Sequence, residues 1–238
     1  CVCVLSVCVP SSCLLGGKKC HATDTACYSA QHVLCNVTAP SLGGFHTCRS
    51  RLVSLATSAS PQSPLRRTPT KMKKILLTGG AGYIGTHTAL ECLEAGHEVE
   101  VMDNLYNASE EALNRVMKLT GKSVKLHKID LLDAAGMDAL FTSTKFDAVI
   151  HFAGLKAVGE SVAKPLFYYE NNITGTVNLM NAMTKGGCKN IVFSSSATVY
   201  GDPASVPVTE DFHTSATNPY GRTKLFIEYI LKDVWNSV

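Results

Sequence analysis

The most informative segment of the sequence is Thr78-Gly79-Gly80-Ala81-Gly82-Tyr83-Ile84-Gly85. The apolar residues before it, 73–78, read as a short strand, and residues 83–95 carry apolar side chains at helical spacing. A strand, a glycine-rich turn and a helix in this order form a dinucleotide-binding turn, because glycines let the backbone approach a pyrophosphate at the positive end of the helix. The stretch therefore predicts a nucleotide site at the start of a parallel sheet.

The spacing of the glycines allows two alignments. Gly80, Gly82 and Gly85 fit G-x-G-x-x-G. Gly79, Gly82 and Gly85 fit G-x-x-G-x-x-G, the spacing of the short-chain dehydrogenase/reductase superfamily. The residues alone leave both alignments open.

The next strand predicts which dinucleotide is bound. Residues 97–102 read as a strand that ends at Asp103, roughly 20 residues beyond the glycines. A carboxylate at this position accepts hydrogen bonds from an adenosine ribose. No arginine lies near Asp103 to neutralise a 2′-phosphate, so we expect NAD rather than NADP.

Strands and helices alternate from Met72 onward. This alternation predicts an α/β fold with a Rossmann-like, doubly wound parallel sheet, whose ligands bind at the carboxyl ends of the strands. We predict strands at 73–78, 97–102, 124–127, 147–152 and 190–194 and helices at 83–95, 109–119, 133–142, 165–185 and 220–236. We expect His151 to be a core histidine of the fourth strand, and Tyr200 to lie in the core or at the site edge.

Charge and cysteine divide the 238 residues into two parts. Residues 1–71 hold seven of the 22 Lys and Arg, eight of the ten cysteines and a single acid, whereas 72–238 are slightly acidic. The acidic part has no basic patch that would favour nucleic acid. The chain also lacks an apolar run of 18 residues, so no membrane span is predicted.

Residues 1–71 have three competing interpretations. Their low acidity and Ser/Arg content resemble a transit peptide, which would direct the protein to a plastid or another organelle. Their cysteines suit a small disulfide module, although the spacings do not repeat C-x-x-C, and we predict no metal site. We favour the third interpretation, a disordered, non-native extension that precedes a natural start at Met72. The protein would then be cytoplasmic, and 72–238 would form the NAD-binding domain.

A Tyr-x-x-x-Lys motif carries the predicted chemistry. Tyr220 and Lys224 are four residues apart on a predicted helix, so both project from one face. An ammonium there favours the phenolate form, which suits a general acid/base acting on a sugar hydroxyl. Ser194-Ser195-Ser196 follows a strand at the edge where ligands bind, and a serine hydroxyl there can bond the same substrate oxygen.

Several stretches resemble the UDP-glucose (UDP-galactose) 4-epimerases, which are extended short-chain dehydrogenases/reductases. Besides the glycine-rich turn, they are Asp103-Asn104-Leu105, 151–161 (HFAGLKAVGES), 193–201 (FSSSATVYG) and Pro219-Tyr220-Gly221. The 151–161 block is the most specific of them. The resemblance covers the chain from Met72 to its end.

The resemblance implies a role for each matching residue. Catalysis would fall to Ser196, Tyr220 and Lys224. Cofactor binding would fall to Gly79, Gly82, Tyr83, Ile84, Asp103, Asn104, Asn107, Asp130, Leu131, Phe152, Ala153, Gly154, Lys156, Asn171, Ser194, Tyr220 and Lys224.

The family's reaction interconverts UDP-galactose and UDP-glucose in galactose metabolism. By resemblance, Tyr220 would take the proton of the hydroxyl at sugar carbon 4 while hydride passes to NAD and later returns to the other face. The family forms homodimers, which implies pairing through helices 165–185 and 220–236. Its second half, which holds the UDP-sugar, has no counterpart before Val238.

Three alternatives stay open at this stage. The protein could act on another UDP-sugar, such as a UDP-pentose or UDP-uronic acid, because the specificity lies in the absent half. It could instead be a non-catalytic NAD-binding fragment. A sugar-nucleotide 4,6-dehydratase is disfavoured, because Ala197-Thr198 stands where such enzymes usually carry an acidic pair.

Overall fold

Residues 71–237 are the part of the chain described by a computed structural model. They form a parallel sheet with helices on both faces. Its strands are β1 (Lys74–Thr78), β2 (Glu98–Met102), β3 (Lys125–His127), β4 (Ala148–His151) and β5 (Ile191–Phe193). Its helices are α1 (Tyr83–Glu94), α2 (Glu110–Thr120), α3 (Ala134–Ser143), α4 (Val158–Ala163), α5 (Pro165–Tyr169), α6 (Gly175–Gly186) and α7 (Pro219–Asn236). The expectations for 1–71 concern residues that lie almost entirely outside this range.

The five strands lie in the order β3-β2-β1-β4-β5 and are all parallel. This confirms the predicted Rossmann-like sheet. The chain leaves β1 toward β2 on one side and later returns to place β4 on the other side. In such sheets the point where the strand order reverses is where ligands bind.

Each face of the sheet has its own hydrophobic core. On one face, α1 and α2 cover Ile75, Leu77 and Val101. On the other face, α3, α6 and α7 cover Leu76 and Val149. The strands alternate between the two cores because successive side chains point to opposite faces, which explains why β1 is almost wholly apolar.

One predicted helix is wrong in detail. Instead of one regular helix over 165–185, the structure has α5, a π-helical turn at Glu170–Thr174 and then α6. The helix ends at the predicted place, because Gly187 takes a left-handed φ of +75° there. The short helix α4 and a 3₁₀ turn at Ala197–Tyr200 were not predicted.

The other boundaries fall within one or two residues of the predictions. His151 is fully buried on β4 and Tyr200 is buried beside Val199 and Leu225, so both are core residues. No helix within 71–237 is long and apolar enough to cross a membrane.

Candidate active site

A crevice of about 730 Å³ lies above the carboxyl ends of the strands. It brings together every residue that the sequence predicted for the site: Gly79, Gly82, Tyr83, Ile84, Asp103, Asn104, Asn107, Asp130, Leu131, Phe152, Ala153, Gly154, Lys156, Asn171, Ser194, Ser196, Tyr220 and Lys224. These residues come from seven separate segments of the chain. The parallel sheet gathers them because all its strands end at the same edge.

The fold requires glycine at Gly79 and at Gly85 but not at Gly82. Gly79 has a left-handed φ of +68°, and a Cβ there would lie 2.6 Å from the backbone nitrogen of Ala153. A Cβ on Gly85 would lie 2.5 Å from the Gly79 carbonyl oxygen, so α1 packs this close only through glycine. Gly82 has an ordinary φ of −74°, and a Cβ there would meet only the Gly79 oxygen, at 3.4 Å. The protein therefore leaves open space in front of Gly82.

The structure also resolves the alignment of the glycines. Gly79, Gly82 and Gly85 all line the crevice. Gly80 is buried instead, and a Cβ there would lie 2.8 Å from the Val101 side chain. The turn therefore has the G-x-x-G-x-x-G arrangement.

Acidic and amide side chains form one end of the crevice. Asp103 accepts the N–H of Ala81 on Oδ2 (3.0 Å) and the N–H of Leu105 on Oδ1 (2.8 Å). Asn104 donates to Asp130 Oδ2 over 2.6 Å. Each Asp103 oxygen keeps a second lone pair, so Asp103 can tie the turn to the end of β2 and still accept a ligand hydroxyl.

Asn172, in the π-helical turn, joins the loop after β4 to α7. Its Oδ1 accepts the N–H of Leu155 (2.8 Å), and its Nδ2 donates to the Leu155 carbonyl (3.0 Å) and to Thr223 Oγ1 (3.0 Å). Asn171 donates to the same Oδ1 (2.9 Å) and lines the crevice. In the π-helical turn, Asn171 thus lines the crevice, and Asn172 ties the wall of the crevice to α7.

Lys224 is a buried cation beneath the crevice. The residue is 5% exposed, and its ammonium donates to the Ser194 carbonyl over 3.0 Å and lies 4.7 Å from the centre of the Phe193 ring. Burial lowers the pKa of Lys224 to about 8, and the carboxylate of Glu228 opposes this effect. The side chain of Lys224 is thus fixed in place, and its pKa of about 8 leaves most of the ammonium protonated at neutral pH.

Two polar side chains and a proline fix the first turn of α7, which carries Tyr220. The side chain of Asn218 caps the helix by accepting the N–H of Gly221 (2.8 Å), and Pro219 occupies the first helical position. Ser161 accepts the N–H of Tyr220 over 3.1 Å. Tyr220 therefore enters the crevice from a rigid helix start, one turn before Lys224.

The three serines after β5 have different partners. Ser194 gives its carbonyl to Lys224, and Ser195 donates its hydroxyl to Glu228. Ser196 accepts both the hydroxyl (2.9 Å) and the N–H (3.3 Å) of Thr198. Both contacts use lone pairs of Ser196, so they leave its own O–H available to an acceptor in the crevice.

His151 lies below the crevice as a neutral imidazole. Burial, with a smaller contribution from the Lys224 charge, lowers its pKa to about 3. The hydroxyl of Thr176 donates to the Asn172 carbonyl (2.6 Å), so its oxygen accepts from His151 Nε2 (3.0 Å). Nδ1 must then accept from the Thr78 hydroxyl, 2.6 Å away. The network selects the Nε2–H tautomer.

The sequence interpretation missed four residues that hold the site together. They are Ser161, Asn172, Thr198 and Glu228. Two of them had a visible signal: adjacent asparagines are unusual inside a helix, and Glu228 repeats the four-residue spacing from Lys224. Ser161 had none, because its partner Tyr220 lies on another segment, and the contact of Thr198 with Ser196 is local but follows no recognised spacing.

Family comparison gives an independent view of the chain. Residues 76–238 match the family model described as GDP-mannose 4,6 dehydratase. UDP-glucose 4-epimerase 2 of Arabidopsis thaliana is 60% identical over 168 residues, which cover 69% of this chain and 48% of that protein. The chain spans about half the length of the curated relatives it matches.

Solved structures show the same relationship. UDP-glucose 4-epimerase from Bifidobacterium longum, in complex with NAD+ and UDP, matches with a TM-score of 0.67 and 53% identity, over 69% of this chain and 49% of that one. The enzyme from Stenotrophomonas maltophila, with bound NAD and formylated UDP-arabinopyranose, matches with a TM-score of 0.66 and 44% identity, over 68% and 48%. The predicted resemblance to UDP-glucose 4-epimerases is confirmed.

Proposed function

The chain belongs to the family described by the GDP-mannose 4,6 dehydratase model, and from this membership we propose that it is the cofactor-binding part of an NAD-dependent epimerase that interconverts UDP-galactose and UDP-glucose. The observation that carries the proposal is a single crevice. The crevice is lined by Ser196, Tyr220 and Lys224, and it includes the open space in front of Gly82.

The crevice fits NAD+ at each of its parts. The fold does not require a glycine at position 82. A pyrophosphate would require one, because it would occupy the space that a side chain there would fill. Asp103 and Asp130 supply acceptors at the ribose end. Neither Arg115 nor Arg222, the arginines of residues 71–237, lines the crevice, so no arginine there would neutralise the 2′-phosphate of NADP.

Residues of the chain itself would remove and return the proton of the sugar hydroxyl. When bound, NAD+ supplies reversible two-electron oxidation and reduction at sugar carbon 4. Tyr220 removes the proton of the carbon 4 hydroxyl and later returns it, and the free O–H of Ser196 donates to the same oxygen. Lys224 stays largely protonated at neutral pH, since its pKa is about 8, and it follows Tyr220 by one helical turn on the same face of α7.

The residue types in the crevice favour epimerisation over dehydration. Loss of water from a sugar needs an additional acid/base group next to the serine. Here Ala197 has no functional group, and the hydroxyl of Thr198 already donates to Ser196. The second candidate is epimerisation of another UDP-sugar, which the UDP-arabinopyranose derivative bound to the Stenotrophomonas relative favours.

We also expect a homodimer in a reducing, cytoplasmic compartment. α5, α6 and α7 carry exposed apolar side chains that a second copy could cover. Cys92 and Cys188, the cysteines of the described part, are both free thiols, which suits reducing conditions. A UDP-sugar is the expected small-molecule partner, and the excess of acids over bases in 72–238 gives no reason to expect nucleic acid.

Turnover in a longer polypeptide tests this proposal. Residues 72–238 would be joined to the second half of the Bifidobacterium relative and assayed with UDP-galactose and NAD+. Tyr220→Phe should lower turnover by at least about 100-fold, because the general acid/base is lost. Its affinity for NAD+, measured by calorimetry, should not change and should exceed that for NADP+.

Tyr229→Phe is the matched control, since it removes a phenol hydroxyl from an exposed position of the same helix. It should keep full turnover. Full activity of Tyr220→Phe would exclude Tyr220 as the acid/base. Equal or tighter binding of NADP+ would exclude the cofactor assignment.

A further inference from the structure

Glu228 lies one helical turn beyond Lys224 on α7, on the same face of the helix. The side chain is partly buried, and its Oε1 accepts the hydroxyl of Ser195. Ser195 is itself only 5% exposed and is the second residue after β5. The contact therefore fixes a carboxylate between the end of the sheet and the helix that carries Tyr220.

A carboxylate in this position is costly unless its charge is compensated. Burial raises the pKa of Glu228, and the hydroxyl of Ser195 and the ammonium of Lys224 oppose that rise. The ammonium of Lys224 donates its hydrogen bond to the Ser194 carbonyl, 3.0 Å away, and not to Glu228. Glu228 thus acts on Lys224 through its charge, while the serine backbone holds the ammonium in place.

We propose that Glu228 is a positioning residue for the Tyr220–Lys224 pair, in which a carboxylate anchored by Ser195 keeps the buried Lys224 ammonium charged. The inference rests on the proposed function, since it concerns the same acid/base pair. It assigns the three serines one task each: Ser194 holds the ammonium, Ser195 holds its counter-charge, and Ser196 faces the substrate.

Few other groups can set the charge of Lys224. Within residues 71–237, the titratable groups around it are Tyr220 and Glu228 on its own helix and His151 on β4. His151 is neutral because its burial lowers its pKa to about 3. The Phe193 ring face attracts the ammonium but carries no net charge. Glu228 is therefore the one anionic carboxylate that acts on Lys224 among these groups.

The test follows the titration of Lys224 in the intact chain. Lysine labelled with ¹³C at Cε gives an NMR signal that reports the charge of each ammonium, and Lys224→Met identifies the signal of interest. In Glu228→Gln the midpoint should fall below the wild-type value by roughly 0.5 to 1 pH unit, because a carboxylate one turn away is lost. The amide oxygen of the new side chain can still accept from Ser195, so the packing is kept.

Asp233→Asn is the control, because it removes the same charge from an exposed position of the same helix. Its midpoint should equal that of wild type. An unchanged or raised midpoint in Glu228→Gln, or an equal fall in Asp233→Asn, would overturn the proposal. Circular dichroism would verify that each variant is folded.

Ser195→Ala is the second variant, and it decides the matter if Glu228→Gln does not fold. It keeps the carboxylate but removes its anchor, so the midpoint should fall by a smaller amount, and no fall would overturn the proposal. The readout requires no sugar and no turnover. Failure of the epimerase proposal would appear in the turnover assay instead and would leave this titration unaffected.

Discussion

His151 shows how a single residue can be identified from its strand and yet have a role that the sequence does not reveal. Its place in an apolar run predicts a core position, and the structure confirms it. Its partners Thr78 and Thr176 come from β1 and α6, at sequence separations of 73 and 25. Contacts of this kind depend on how the elements pack, so no spacing in the sequence predicts the neutral tautomer.

The first prediction concerns the acid stability that His151 confers. In the unfolded chain its pKa is near 6.5, and in the folded chain it is about 3. Between these values the unfolded state binds one more proton, so the free energy of unfolding falls as the pH falls through that range. His151 should contribute a loss of about 1 kcal/mol between pH 7 and pH 5.5.

Urea unfolding at both pH values measures this loss in wild type and in His151→Gln. The variant cannot take up the proton, so its loss should be smaller by that amount, whatever its stability at pH 7. The carboxylates and other histidines titrate alike in both proteins. Identical losses would mean that His151 is protonated in the folded state near its ordinary pKa.

At the scale of elements, the turn between β1 and α1 was the most predictable part. The strand, the glycines and the helix are all local, and their bounds agree with the structure to within one or two residues. The π-helical turn at Glu170–Thr174 was not predictable, because the apolar pattern runs through it. Asn172 has partners 17 residues before it and 51 residues after it, and these contacts accompany the local change from α- to π-helical geometry.

The second prediction separates the two tasks of the glycines. Gly82→Ala should keep the stability of the chain, because its Cβ would meet only an ordinary contact at 3.4 Å, but it should lose most of its NAD+ affinity. Gly85→Ala should lose stability by about 1–3 kcal/mol, because the backbone of the turn lies 2.5 Å from the new atom.

Thermal unfolding and calorimetric titration with NAD+ measure the two effects. The two variants add the same methyl group three residues apart, so each is the control for the other. Unchanged NAD+ affinity in Gly82→Ala would show that the open space in front of this glycine does not receive the pyrophosphate.

At the scale of the whole molecule, the exposed apolar side chains concentrate on one layer. Leu166 on α5 is 80% exposed and Phe226 on α7 is 43% exposed, although the latter stacks on Tyr169 at 6.4 Å. Patches of this kind usually mark association surfaces. The residues of the crevice could be predicted from motifs, but the sequence does not say which apolar residues stay uncovered.

The third prediction concerns association of the chain. If the apolar layer pairs two copies, wild type should sediment as a dimer, and Leu166→Arg should shift it to a monomer, because a charge would be buried in the interface. Leu119→Arg on α2 is the control, since Leu119 is similarly exposed, at 74%, on the opposite layer. A monomeric wild type, or equal effects of both variants, would exclude pairing through α5–α7.

The hydrogen bonds of Asn172 have a consequence for the dynamics of the crevice. One amide group holds both the backbone of Leu155, in the wall after β4, and Thr223, on the helix of Tyr220. A fluctuation that releases this amide loosens the wall and the helix together. Amide protons on both segments should therefore exchange with solvent as one cooperative unit.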